Sequence, residues 1–171
     1  MMIPFFVLLI YFYGEEHQML RTAALGVYAL AAISDGLDGY VARKFNQRTK
    51  LGARLDPLAD KLMVNLGLVF IAANPYFHPP IPMWFPVVVL SRDVLIVMGA
   101  YFLNERHGPL KVKPLWSGKF TTAFQMGTLI AALLALPITN LIMWIALVFT
   151  IISLVQYVSF GRRIASAQKA V

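Results

Sequence analysis

Residues Thr22–Ala73 read TAALGVYALAAISDGLDGYVARKFNQRTKLGARLDPLADKLMVNLGLVFIAA. An apolar run, Thr22–Ile33, ends on two aspartates, Asp35 and Asp38. The basic stretch Arg43–Arg54 follows, and a second pair, Asp56 and Asp60, leads into another apolar run, Leu62–Ala73. Residues three apart on a helix sit about 60° apart around its axis, and residues four apart about 40°, so each acidic pair faces one way. The pattern predicts two helices joined by the basic connection, with both pairs at the same end and able to face each other. Gly39 and Ala42 lie four and seven residues after Asp35, and Gly52 lies four before Asp56. These small residues extend the acidic faces and let a ligand approach the backbone closely. Asp56-Pro57 reads in two ways: an N-cap followed by proline at the first helical position, or a helix that begins earlier and is kinked at Pro57. Both keep Asp56 and Asp60 on one side.

The apolar character continues in both directions. Trp84–Leu103, Phe120–Ile138 and Leu141–Val158 are further mostly apolar runs, and the 171-residue chain is 59% hydrophobic and only 13% charged. That is too apolar for an ordinary soluble domain, and five such runs leave too little polar surface to cover a globule. Runs near 20 residues suit a bilayer core of roughly 30 Å at about 1.5 Å per helical residue. Met1–Tyr13 is apolar but reaches only about 20 Å as a helix, and it lacks the basic start and cleavage site of a signal peptide. It reads as the second half of a transmembrane helix whose beginning is missing. The expected fold is all-α: a polytopic membrane bundle of six transmembrane helices, the first incomplete, forming one domain over residues 1–171 with no repeat or dividing linker. The absence of cysteine excludes disulfides and Cys-ligated metal sites.

The net charge is +7, and its placement is informative. Arg43, Lys44, Arg48, Lys50, Arg54 and Lys61 lie in or near the second connection, Arg106, Lys111, Lys113 and Lys119 in or near the fourth, and Arg162, Arg163 and Lys169 in the tail. The connections Asn74–Met83 and Pro137–Asn140 carry no basic residue, and Gly14–Arg21 sets Glu15 and Glu16 against one Arg. Basic and non-basic connections therefore alternate, and the positive-inside rule puts the basic set and both termini in the cytoplasm. These cations flank membrane spans and form no aromatic-interleaved surface, so anionic lipid heads suit them better than nucleic acid. The Pro-rich Asn74–Pro86 reads as an outer turn with Tyr76 and Trp84 at the interface, and Pro137 and Asn140 mark a second outer turn.

Ionisable groups at membrane depth are costly and default to function. Four carboxylates with no cysteine or nearby histidine favour hard cations such as Mg²⁺ or Mn²⁺, and four acids so close would not all ionise without cations. Two metals sharing carboxylates suit an in-line displacement at phosphorus. The plainer reading is four helix-end acids that cap or pair with neighbouring Arg and Lys. Arg92 lies within an apolar run beside Asp93: either a local ion pair, or a functional cation facing a polar cavity. Lys119 is either a snorkelling end residue or a ligand for an anionic group. His78 and His107 fall in loops and read as solvated.

Asp35–Asp60 matches D-x2-D-G-x2-A-R-x8-G-x3-D-x3-D at every fixed position: Asp35, Asp38, Gly39, Ala42, Arg43, Gly52, Asp56 and Asp60. At about 5% usage per residue type, chance gives such a match roughly once in 10¹⁰ placements. The chain thus resembles the CDP-alcohol phosphotransferase (CDP-alcohol phosphatidyltransferase) family, more weakly so over Leu62–Gln125. The resemblance implies that Asp35, Asp38 and Asp56 hold one Mg²⁺ or Mn²⁺ ion and that Asp60 shares in a second. It also implies that Gly39, Ala42 and Gly52 leave room for the CDP moiety, that Arg43 pairs with phosphate, and that Asp60 is the general base. CDP-diacylglycerol is then the donor, CMP the leaving group, and a homodimer in the membrane the expected assembly. Asn46–Lys61 looks like both phosphatidylglycerophosphate synthases and CDP-alcohol-type cardiolipin synthases. Glycerol 3-phosphate is the preferred acceptor and phosphatidylglycerol the alternative, with Arg92 and Lys119 as acceptor-site candidates. Family members usually carry Asn, Thr and Arg before Ile-Pro, where this chain has Met1-Met2-Ile3-Pro4. Two other classes compete. A divalent-cation transporter predicts polar residues through the full depth of the spans, and a non-catalytic membrane partner predicts loss of motif residues.

Overall fold

A computed structural model describes residues 2–44, 52–107 and 116–168; the side chains of residues 35, 38–43, 52–60, 100, 103–104, 106–107, 160 and 162–168, those of Arg106, His107, Arg162 and Arg163 among them, lie outside that description. Arg48, Lys50, Lys111, Lys113 and Lys169, named above for their charge, also lie outside the described residues. The described chain forms six helices and no strand: α1 (Ile3–Tyr11), α2 (Gln18–Lys44), α3 (Gly52–Ala73), α4 (Trp84–His107), α5 (Trp116–Leu133) and α6 (Thr139–Gln168).

Pro4 sits in the first turn of α1, where its missing N–H has no helical partner to lose. The helix runs only nine residues. Its carboxyl end is closed from outside, because Asn74 Nδ2 donates to the carbonyls of Ile10 (2.9 Å) and Tyr13 (3.0 Å). Phe6 and Ile10 turn into the core beside α2 and α3. α3 begins at Gly52, so Asp56 is not an N-cap and Pro57 is an interior residue of the helix. Of the two readings of Asp56-Pro57, the earlier start is the one observed.

Gly67 explains how α3 reaches the centre. A Cβ there would come within 2.9 Å of both Leu129 Cδ1 on α5 and Phe6 Cε1 on α1, so a hydrogen at this position lets three helices close on one point. Val64, Leu68 and Ile71 of α3 join Phe85, Val89 and Leu129 in the buried core. α5 and α6 pack along each other, and α4 leans on α3 and α6.

α5 stops at Leu133, short of the Ile138 expected from the apolar run. Leu136 N–H donates to Ala131 O (2.9 Å), Ala135 N–H to Ala132 O (3.2 Å), and Ala135 adopts φ 55°. This is a Schellman end in which alanine occupies the left-handed position usually given to glycine, and Pro137 follows it. Thr139 Oγ1 then donates to Leu136 O (2.6 Å) as α6 starts.

Arg21, counted above within the first connection, belongs to α2 and is buried. Its Nε donates to Leu133 O (2.9 Å), and its Nη2 donates to His78 O (2.9 Å) and to Ala132 O. The guanidinium lies 5.0 Å from the Phe77 ring centre and 5.7 Å from that of Tyr13. One cation thus gathers the α1–α2, α3–α4 and α5–α6 connections at the end of the bundle away from the acidic motif.

The exterior is apolar. Leu30, Ile33 and Leu37 on α2, Val94 and Val97 on α4, and Val148 and Val155 on α6 are all exposed. Within α6, Thr139–Ser159 is long and apolar enough to cross a membrane, and Lys61–Ala73 of α3 is a shorter apolar segment.

Candidate functional site

Both acidic pairs sit on continuous helix. Asp35 and Asp38, with Gly39, Ala42 and Arg43, occupy the last turns of α2; Gly52, Asp56 and Asp60 occupy the first turns of α3. Helical backbone through all of them supports the angular argument made from spacing: each pair lies on one face of its helix. The two helix ends, Lys44 and Gly52, are eight residue steps apart, so they are separated by at most about 29 Å. The side chains of all eight motif residues fall outside the described part of the structure. Among the described side chains, no three of His, Cys, Asp or Glu could hold a metal ion. The donor set of the motif itself is all carboxylate, which suits Mg²⁺ or Mn²⁺ and does not suit a thiophilic metal.

Directly beyond the motif the side chains are described, and they form a network. Lys61 follows Asp60, and its Nζ lies 3.1 Å from Asp93 Oδ1 on α4. Asn65, one turn further along α3, donates from Nδ2 to Asp93 Oδ2 (3.3 Å). Arg92 Nη1 donates to Asp93 Oδ1 at 2.6 Å, and Arg92 Nη2 donates to Ser153 Oγ on α6. Arg92 is only 4% exposed, and among the described residues its Nε has no hydrogen-bond partner. Gly118 of α5 backs the guanidinium: a Cβ there would meet Nη2 at 3.5 Å. Beside it, Ser117 Oγ donates to Gln156 Oε1 on α6 (2.8 Å).

The Arg92–Asp93 ion pair, one of the two readings of Arg92, is therefore present, but it is one contact of a network across three helices. Lys119, named with Arg92 as an acceptor-site candidate, is exposed, with its Nζ 5.8 Å from the Trp116 ring centre. No described contact joins Lys119 to Arg92.

Sequence reasoning missed Asn65 and Ser153, and it counted Lys61 only as charge. A signal existed for each. Lys61 and Asn65 are spaced i, i+4 directly after Asp60, and Thr150, Ser153 and Gln156 punctuate the apolar run of α6 at three-residue intervals.

Comparison with known proteins gives this arrangement a context. The family model described as CDP-alcohol phosphatidyltransferase matches residues 1–152. A protein of Haemophilus influenzae named CDP-diacylglycerol--glycerol-3-phosphate 3-phosphatidyltransferase is 34% identical over 174 residues, covering 94% of this chain and 87% of the relative. The human protein named cardiolipin synthase (CMP-forming) is also 34% identical, over 164 residues, covering 82% of this chain and 53% of the relative. A Mycobacterium tuberculosis protein named probable phosphatidylglycerophosphate synthase is 28% identical, covering 95% of this chain and 77% of the relative.

Proposed function

The chain belongs to the CDP-alcohol phosphatidyltransferase family, and from that premise we propose that it transfers the phosphatidyl group of CDP-diacylglycerol to glycerol 3-phosphate, releasing CMP. The observation that carries the donor and the chemistry is the intact motif, carried on the last turns of α2 and the first turns of α3. The acceptor assignment is supported by coverage: the match runs through most of the relative named for glycerol 3-phosphate, but through about half of the human cardiolipin synthase. Phosphatidylglycerol is the second reading, supported by the equal identity of that human relative.

In the reaction, the acceptor hydroxyl attacks the lipid-linked phosphorus of the diphosphate. A new O–P bond forms, the bond to the bridging oxygen breaks, and CMP leaves with that oxygen. Asp60, at the start of α3, takes the hydroxyl proton as general base. Asp35, Asp38, Asp56 and Asp60 are the residues that would hold two divalent ions, which when bound neutralise the diphosphate and make CMP a better leaving group. Gly39, Ala42 and Gly52 leave space for the nucleotide, and Arg43 pairs with phosphate. Arg92 holds the acceptor's phosphate: it is buried, and its Nε is unpaired among the described residues.

The protein works in a membrane as a homodimer of six-span subunits, with the motif and both termini on the cytoplasmic side. The apolar exterior and the alternation of basic and non-basic connections support this placement. The transporter reading draws less support, because the carboxylates gather at one end of the helices.

The direct test is CMP release by purified protein given CDP-diacylglycerol, Mg²⁺ or Mn²⁺, and either glycerol 3-phosphate or phosphatidylglycerol. Release with glycerol 3-phosphate and not with phosphatidylglycerol is expected. The reverse pattern moves the assignment to the second reading, and no release with any acceptor ends the transferase reading.

A further inference from the structure

Three groups converge on one carboxylate. Asp93 Oδ1 accepts from Arg92 Nη1 at 2.6 Å and from Lys61 Nζ at 3.1 Å, and Oδ2 accepts from Asn65 Nδ2 at 3.3 Å. Lys61 and Asn65 stack on one face of α3, a turn apart, and Lys61 adjoins Asp60. On its far side Arg92 reaches Ser153 of α6. A chain of side-chain contacts thus runs from the motif helix, through Asp93 and Arg92, to α6.

Two features distinguish this from simple neutralisation of a buried arginine. Arg92 already has its counter-charge on the adjacent residue, and that pairing does not require the carboxylate to grip a different helix at two points. Moreover, Lys61 and Arg92 share a single carboxylate, which leaves one positive charge in excess among the described side chains of the network. Lys61 is 40% exposed and keeps its contact with solvent, whereas Arg92 is 4% exposed and its Nε has no partner among the described residues, so it is the guanidinium that an anion would join.

We propose that Asp93 is a positioning residue for the transfer. It holds Lys61 and Asn65, and with them the turn of α3 that carries Asp60, in fixed register with the guanidinium of Arg92. It also occupies one edge of that guanidinium, so that Nε stays available to an anionic acceptor. The inference rests on the reading of Asp60 as base and Arg92 as acceptor cation. Its consequence is graded: loss of Asp93 frees the Arg92 guanidinium and misplaces the acceptor relative to the base, whereas the donor is touched only through the share of Asp60 in the second ion.

The test is steady-state CMP release by purified wild type, Asp93→Asn, Asp93→Glu, Lys61→Met and the Asp93→Asn/Lys61→Met double variant, with KM measured separately for acceptor and donor. Asp93→Asn is expected to raise the acceptor KM tenfold or more and to lower kcat, while the KM for CDP-diacylglycerol stays within twofold. Asp93→Glu recovers part of the loss. The double variant is no worse than Asp93→Asn alone, because both substitutions break the same contact. A purely structural role gives a lower Tm and a lower kcat with both KM values unchanged, and that result overturns the proposal. Additive losses in the double variant, or equal rises in both KM values, overturn it as well. Should Asp93→Asn not purify as a monodisperse protein, Asn65→Leu removes only the Oδ2 contact. It is then expected to raise the acceptor KM two- to threefold, and an unchanged acceptor KM counts against the proposal. Wild type that releases no CMP with glycerol 3-phosphate or phosphatidylglycerol removes the transferase reading and this inference with it. Active wild type whose Asp93→Asn variant keeps its acceptor KM removes this inference alone.

Discussion

At the residue scale the four aspartates differ in what their substitution should do. Spacing alone ranks none of them, since both pairs lie on single faces of continuous helices. The proposed mechanism does separate them. Asp60 takes a proton, so Asp60→Asn removes the acceptor of that proton while keeping shape and size. General-base contributions run to about 10²–10⁴ in rate, and CMP release should fall by a factor in that range with the protein still folded. A rate for Asp60→Asn equal to wild type would remove Asp60 from the role of base. The motif was legible in the sequence because its chemistry is local: fixed residues within one 26-residue stretch, Asp35–Asp60. The Asp93 network was only partly legible. Arg92 and Asp93 are neighbours in sequence, which makes an ion pair one of the two readings of Arg92, whereas Ser153 lies 61 residues from Arg92 and meets it only because α4 and α6 pack together.

At the scale of elements, hydropathy located the helices but not their ends. α5 ends at Leu133 because a Schellman turn and Pro137 intervene, although the residues that follow remain apolar. The turn lacks the glycine that normally advertises it, since Ala135 takes the left-handed conformation at φ 55°. That conformation costs an L-residue about 1–2 kcal/mol, and glycine gives back part of the relief in unfolded-state entropy. Ala135→Gly should therefore stabilise the protein by up to about 1 kcal/mol, a rise of roughly 2–4 °C in Tm for a chain of this size. A lower Tm in detergent solution would show that the turn is held by something other than this backbone geometry. Arg21 is the opposite case, a residue whose sequence context suggests a surface charge. Its partners are the backbone carbonyls of His78, Ala132 and Leu133, and carbonyls carry no signature in a sequence. Hydrogen bonds to a charged donor are each worth about 1.5–3 kcal/mol, so Arg21→Ala should lower stability by at least about 2 kcal/mol. Thermal unfolding measures this directly, and a change under about 0.5 kcal/mol would mark the residue as an ordinary surface cation.

At the scale of the whole molecule, charge placement and packing argue for the same arrangement by independent routes. The sequence puts Arg and Lys at alternate connections. The structure puts the knot at Arg21, the Schellman turn and the Asn74 cap at one end of the bundle, and the acidic motif with the Lys61–Asp93–Arg92 network toward the other. The first end is closed by hydrogen bonds among connections, while the second carries the ionisable groups that a water-soluble, anionic acceptor needs. A bilayer reading makes a sharp demand of this polarity: Glu15 and Asn140 face one aqueous side, and Glu105 faces the other. Because the chain contains no cysteine, single Glu15→Cys, Asn140→Cys and Glu105→Cys variants report their side without background, and all three positions are exposed. A membrane-impermeant maleimide applied to intact expressing cells should label the cysteines at 15 and 140, and should reach position 105 only after the membrane is opened. Labelling of position 105 in intact cells as fast as position 15 would break the six-span topology. It would also remove the cytoplasmic placement of the motif, because α4 would no longer return the chain to the side on which α2 ends.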